Sequence, residues 1–483
     1  MDDKLAFASA RTLASMVREK KIGAVELLDF YLQRIERLNP RLNAVILQRA
    51  DEARREAAAC DAMTAKGESK GPLHGVPMTV KESFDVAGTP STWGLTAQRD
   101  NIAKEDALSV ARLKAAGAVV FGKTNVPVWL ADWQSFNPIY GTTNNPWNVE
   151  RTPGGSSGGS AAALAAGLTG LEMGSDIGAS IRNPAHYCGV YGLKPTFDVC
   201  PRDGHLLPGA YAHGDISAIG PLARSAYDIE TALDVIAGPN ALDGTGVQLR
   251  LPRETRNSFA GFRIAVMSDA DTAPVDSAVR KQIDALADWL EKQGATVDRV
   301  ARPVDPAEAH ETYIMLLRSA TSAAPDEAAH AKLLAARESV RGRSDYYAWH
   351  VLANTMGHRE WLGWNNKRAR MIHDWAHFFT RFDLLLCPTA ATTAFPHMQT
   401  GERWERMIKV DGADQPTTTQ LFWAGYSNMV NLPSIVAPAG LATDGLPVGV
   451  QIVAPAYQDY RAIRFAQMLE DQYRAFVPPP GFV

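Results

Sequence analysis

From residue 9 to residue 65 the apolar positions recur at helical spacing. Leu13, Met16 and Val17 are followed by Val25, Leu28, Tyr31, Leu32 and Ile35, and Asn39-Pro40 breaks the run. That period belongs to helices that bury one stripe, so the segment reads as packing rather than chemistry. Between Gly71 and Gly94 the pattern changes to turn residues around a short β-like piece, residues 76–80, that delivers Lys81. A helical stretch over 106–116 then leads into Ala118-Val119-Val120-Phe121, a buried-strand pattern. After a loop-rich section over 200–221, helices are expected over 226–237 and 276–293, with strands at 262–267 and 296–300. Residues 307–379 read as mainly helical, and 384–386, 431–438 and 448–453 supply late strands. Strands alternating with helices in this way predict an α/β layer architecture.

The stretch that departs most from packing patterns is residues 151–196. Two Ser/Gly clusters there, Gly154-Gly155-Ser156-Ser157-Gly158-Gly159-Ser160 and Gly174-Ser175-Asp176-Ile177-Gly178-Ala179-Ser180, bracket a small-residue helix and a short apolar run. Glycine suits backbone that must take positive φ or approach a ligand closely, and serine supplies hydroxyls able to donate, accept or attack. A flexible linker has similar composition, but linkers do not run straight into an Ala/Leu helix and a second Gly/Ser turn.

Composition bounds the rest. A chain of 483 residues with 46% hydrophobic and 21% charged residues is long enough to bury a large core. The formal charge of −4 shows no basic surplus, so nucleic acid and acidic membrane surfaces are not expected partners. The first ten residues, MDDKLAFASA, do not look like a secretory signal, and no apolar run approaches the length of a spanning helix. Cys60, Cys188, Cys200 and Cys387 lack any CxxC spacing, which fits buried thiols in a reducing compartment rather than a disulfide frame or zinc site. A cytoplasmic protein with no metal and no cofactor is the expectation.

Two familiar motifs match by letter and fail by context. Gly117 to Thr124 fits the phosphate-loop pattern GxxxxGK[ST], but its four spacer residues are themselves the strand that should precede such a loop. Gly155-Ser156-Ser157-Gly158-Gly159 fits the GxSxG nucleophile elbow, yet the polar, proline-broken NNPWNVERTP before it is no buried strand. Aromatic residues Trp129, Trp133, Phe136, Tyr140 and Trp147 crowd an irregular segment that serves equally as a self-pinned loop or a pocket wall. If Ser180 attacks a carbonyl, backbone N–H groups of Ile177, Gly178, Ala179 and Ser180 are available to a developing oxyanion, and Pro184 is compatible with a helix starting near Ser180. A base is not evident from these residues: Asp176 serves equally well as a cap for local N–H groups.

PGGSSGGS, GSDIGASIR, CGVYGLKPT and the upstream GVPMTVKESFDVAG together resemble the amidase signature family, serine hydrolases of carboxamides. The likeness runs nearly end to end, through GKTN, NPWN, GPLARS and LPVGVQIV. It implies one large α/β domain over 1–483 with a mixed central β-sheet covered by helices on both faces. Within it, residues 1–70 would be helices packed on the core, 71–240 the catalytic part and 241–483 the remaining α/β and pocket-forming part. Carried over by position, the family's triad falls on Ser180 as nucleophile, Ser156 as bridging serine in a cis peptide and Lys81 as base, with Ser156 24 residues before Ser180 and Lys81 75 before Ser156. Ser157 and Asp176 would support them, the oxyanion donors would be Ile177, Gly178, Ala179 and Ser180, and Leu130 and Trp133 would line the acyl channel. Where the family has a second glycine before the nucleophile, this chain has Ala179. Arg182 would be structural.

The implied reaction is hydrolysis of an apolar or aryl amide through an acyl-enzyme, with a small-molecule amide as partner and a homodimer left open. The alternative from the same resemblance is the glutaminase component of a tRNA-dependent amidotransferase, which works in a complex.

Overall fold

The computed structural model describes residues 3–323 and 326–482. Its centre is an eight-stranded mixed sheet. Across it the strands run Thr296–Asp298, Arg263–Val266, Leu384–Pro388, Pro447–Val453, Ser434–Leu441, Tyr191–Lys194, Ala218–Ala223 and Glu172–Asp176. The first three neighbour one another in parallel and every later pairing is antiparallel. Inner strands such as Leu384–Pro388 and Pro447–Val453 are buried along their whole length, as strands covered on both faces must be. Helices flank the sheet, so the fold is the single α/β domain that the resemblance implies. Among the described residues no helix is long and apolar enough to cross a membrane.

A second, three-stranded sheet sets Val119–Thr124 between Val45–Gln48 and Pro77–Lys81. The first of these strands corrects the all-helical expectation for 9–65. Asn39 ends the preceding helix, and its side-chain oxygen accepts from the N–H of Ala44 (2.9 Å) and Val45 (3.0 Å), which holds the chain extended. The strand then pairs antiparallel with Val119–Thr124. The section over 200–221 is also less loop-like than expected, because the Ala218–Ala223 strand begins inside it. The helix expected near Ser180 starts two residues later, at Arg182, and runs to Cys188.

The two sheets meet where the chemistry was anticipated. Thr79 donates its N–H to Thr169 Oγ1 (2.9 Å) and Gly170 donates to the Pro77 carbonyl (3.0 Å), which ties the Pro77–Lys81 strand to the chain entering Glu172–Asp176. Lys81 is the last residue of one strand, and Ser175 and Asp176 close the other.

Candidate active site

Every residue of Pro77–Lys81 is buried, so the Lys81 amine arrives at the junction shielded from solvent. Its Nζ lies 2.6 Å from Ser156 Oγ, 2.9 Å from Ser175 Oγ and 3.4 Å from the Ser175 carbonyl. Burial pulls its pKa from the ordinary 10.5 to about 7, against the opposing pull of Asp176, Glu172 and Glu82. Glu172 is itself pushed up to about 8 by burial, despite hydrogen bonds from Thr79 and other hydroxyls.

Ser156 is buried on the first Ser/Gly loop, and the Gly155–Ser156 peptide is cis. Only glycine fits at 155: a Cβ there would lie 2.3 Å from the Asp132 carbonyl oxygen and 2.4 Å from that of Gln134. Ser157 joins this loop to the second one, donating its N–H to the Ser180 carbonyl (3.0 Å) and its hydroxyl to the Ser175 carbonyl (3.4 Å). The structure thus brings Lys81, Ser156, Ser157, Ser175 and Ser180 to one place. Ser180 keeps 5% of its surface exposed, against none for Lys81.

The loop from Asp176 to Ser180 is held from both sides. Inside, Asp176 and Arg182 form a fully buried bidentate pair, with Nε and Nη2 each 2.9 Å from a carboxylate oxygen. Burial alone would raise the Asp176 pKa, but Arg182 and the surrounding N–H donors hold it below the usual value. Arg182 also donates to the Ala424 carbonyl and Ser427 Oγ, so its role here is structural. Outside, Tyr313 Oη (2.9 Å) and Asn428 Nδ2 (2.6 Å) both donate to the Ile177 carbonyl, and Trp133 Nε1 (2.7 Å) donates to that of Gly178. Because a peptide unit is planar and trans, fixing a carbonyl outward turns the next N–H the opposite way.

One expected donor is taken. The Ala179 N–H goes to Asp176 Oδ1 at 2.9 Å, since the carboxylate sits where a four-residue turn closes. Among the described residues no protein acceptor takes the N–H of Ile177, Gly178 or Ser180. Ala179 holds φ 72 in a region that favours glycine. Leu130 sits three residues before Trp133 in the Val128–Leu130 turn, half-buried with φ 55.

Lys123, of the rejected phosphate-loop pattern, is buried in its strand and donates to the Pro90 carbonyl (2.6 Å) and Ser91 Oγ (2.9 Å). Among the described residues no group of three His, Cys, Asp or Glu side chains is arranged to hold a metal ion. Sequence reasoning missed Ser175, Tyr313 and Asn428. Ser175 stood in plain view inside a Ser/Gly cluster, while the other two carry no local signal.

Comparison with known proteins identifies the family. The family model described as Amidase matches residues 26–463. An indoleacetamide hydrolase of Bradyrhizobium diazoefficiens is 33% identical over 96% of this chain and 86% of its own. The A component of the glutamyl-tRNA(Gln) amidotransferase of Bdellovibrio bacteriovorus is 32% identical over 96% of this chain and 97% of its own. The crystal structure of a bacterial aryl acylamidase of the amidase signature family superposes with a TM-score of 0.81 at 26% identity, covering 97% of this chain and 96% of that one. With a serine-rich loop pair at the end of a buried lysine strand and this end-to-end likeness, the chain belongs to the amidase signature family of enzymes that hydrolyse amides.

Proposed function

We propose that Ser180 attacks the amide carbonyl while Ser156 relays its proton to Lys81. The observation that carries this reading is the 2.6 Å approach of a buried lysine, with pKa near 7, to a serine whose neighbour is hydrogen-bonded to Ser180. An uncharged amine is a competent base, and proton transfer to a positioned side chain with a pKa near the working pH is worth roughly 10²–10⁴ in rate. As the Ser180 Oγ–carbon bond forms, the Ser180 proton passes to Ser156 and the Ser156 proton to Lys81. The negative carbonyl oxygen is met by the N–H groups of Ile177, Gly178 and Ser180, each such donor being worth about 3 kcal/mol in a preorganised site. When the C–N bond breaks, the protons return along the same path to the departing nitrogen. Water then repeats the cycle on the acyl-Ser180 ester and releases the acid.

Trp133, half-buried against the loop, and Leu130 supply apolar surface for the acyl group, so an apolar or aryl amide fits this side of the site. The likeness to an amidotransferase component supports a second reading, a glutaminase working in a complex. A large indole beside the nucleophile loop is more than a glutamine-sized substrate needs, which favours a free-standing enzyme. The test is hydrolysis of a panel of aryl, fatty acyl and short aliphatic amides and glutamine by the purified chain alone, with Ser180→Ala alongside. The wild-type protein is expected to turn over aryl amides and the variant to lose at least about 10³ of that rate. Full activity in Ser180→Ala overturns the assignment, and hydrolysis of glutamine alone supports the second reading.

A further inference from the structure

Six arginines are buried among the described residues: Arg34, Arg182, Arg202, Arg224, Arg318 and Arg368. Five of them are spent inside the protein. Arg34, Arg182, Arg202 and Arg368 each meet an aspartate, and Arg224 donates to three carbonyls. Arg318 is the exception. It is 7% exposed and, alone among the six, neither meets a carboxylate nor donates to a carbonyl among the described residues.

Burying an unpaired guanidinium is costly, because its hydration is lost and nothing replaces it. Burial pulls the Arg318 pKa down, and the groups acting next most strongly are Tyr346, Arg403 and Tyr313. None of these is a carboxylate, and Arg403 adds a second cation that makes no ion pair among the described residues. The Tyr346 ring lies 5.5 Å from the guanidinium, a stacking contact that offsets only part of the loss. The Tyr346 hydroxyl and, three residues along the same helix, Trp349 Nε1 are buried without a close hydrogen-bond partner among the described residues, and so is His310 Nδ1. His310, two turns before Arg318 on the same helix, faces Trp349 edge to face with centroids 5.6 Å apart.

The helix that carries Arg318 adjoins the candidate active site. Arg318 lies on the Pro306–Ala320 helix, the same helix that carries Tyr313. The Tyr313 hydroxyl holds the Ile177 carbonyl and would lie 3.3 Å from a Cβ at Gly178. Arg182, Asp176 and Arg318 are all close enough to act on it electrostatically. Tyr313 therefore connects the nucleophile loop to a cation without a counter-charge.

We propose that Arg318, with Arg403 beside it, binds a carboxylate on the substrate, so that the amide cleaved at Ser180 has an apolar body ending in a negative group. The proposal rests on the amide hydrolase reading above and names the substrate class of that same site. A planar guanidinium accepts a carboxylate bidentately, which would satisfy the donors that the fold leaves open.

The test is a series of dicarboxylic acid monoamides, with aliphatic and phenylene spacers of increasing length, each compared with its neutral methyl ester at the distal end. The wild-type enzyme is expected to favour the carboxylate by about ten- to hundredfold in kcat/KM at one spacer length, chiefly through KM. Arg318→Gln is expected to remove that preference, and Arg318→Lys to keep part of it. Equal turnover of acid and ester at every length by the wild type overturns the anion site while leaving the amidase reading intact. Turnover of neither at any length counts against the amidase reading itself. A preference that survives in folded Arg318→Gln also overturns the assignment. If that variant does not fold, Arg403→Gln is measured, and an unchanged preference there sinks the proposal as well.

Discussion

Lys81 and Lys194 end two different strands, both are wholly buried, and burial pulls both pKa values to about 7. Asp176 steadies the charge of each. What separates them is the partner at Nζ: Lys81 meets two serine hydroxyls, whereas Lys194 donates to the Pro195 carbonyl at 2.8 Å. A depressed lysine pKa therefore marks burial, and chemistry requires in addition a neighbour that can hand over a proton. A carbonyl cannot.

The strongest way to break that comparison is to remove each amine in turn. Lys81→Met is expected to lower kcat/KM by about 10²–10⁴, and Lys194→Met to change it no more than a few-fold, both measured by steady-state hydrolysis of an aryl amide. Equal losses in the two variants would mean that the hydroxyl partner is not what distinguishes them.

Next in size is the carboxylate that the two lysines share. Asp176→Asn leaves Arg182 buried without its ion-pair partner, and removing one member of such a pair costs about 3–5 kcal/mol. Chemical denaturation should show that loss. The variant also takes away a charge that holds both lysine pKa values up, so the pH at which activity appears should move to lower values. A stable variant with an unmoved profile would show that Asp176 acts on neither lysine.

Much of this arrangement was legible because its demands are local. Gly155 is required by backbone packed against backbone, and such close approaches are written as glycine in the sequence. The 76–80 strand and its terminal lysine were readable from an apolar run, and the structure places them at 77–81. By contrast, Tyr313 and Asn428 reach the Ile177 carbonyl from 136 and 251 residues away, and nothing near them in the chain announces that contact. The loss of Ala179 as a free donor was equally hidden, since it depends on which way one peptide plane is turned. The Val45–Gln48 strand escaped notice because four residues are too few to show either period, and its pairing partner lies far along the chain.

The pH profile sharpens the comparison further. The folded-state pKa of Lys81 lies below its ordinary value, so the neutral, proton-accepting amine predominates only above about pH 7. kcat/KM should therefore fall about tenfold per unit below pH 7 and level off above it, as expected for a single required base. Lys194 titrates in the same range but faces no hydroxyl, so Lys194→Met should keep the same limb. A wild-type profile that stays flat down to pH 5 would exclude Lys81 as the base.

The smallest effect separates the loop that carries Ser180 from the strand ends that carry the lysines. The first Ser/Gly loop meets its positive φ with Gly154 at φ 90, whereas the second meets the same demand with Ala179 at φ 72. A side chain in that region costs about 1–2 kcal/mol against the following carbonyl. Glycine would remove that cost but give back about 0.4–1 kcal/mol through a freer unfolded chain. Ala179→Gly is therefore expected to raise stability by about 1 kcal/mol or less, read as a small rise in the denaturation midpoint at constant slope. The Ala179 N–H should stay on Asp176, because that bond is made by the backbone and not by the methyl group. A destabilised Ala179→Gly would mean that the methyl, wholly buried where it stands, contributes more through packing than the left-handed turn takes away.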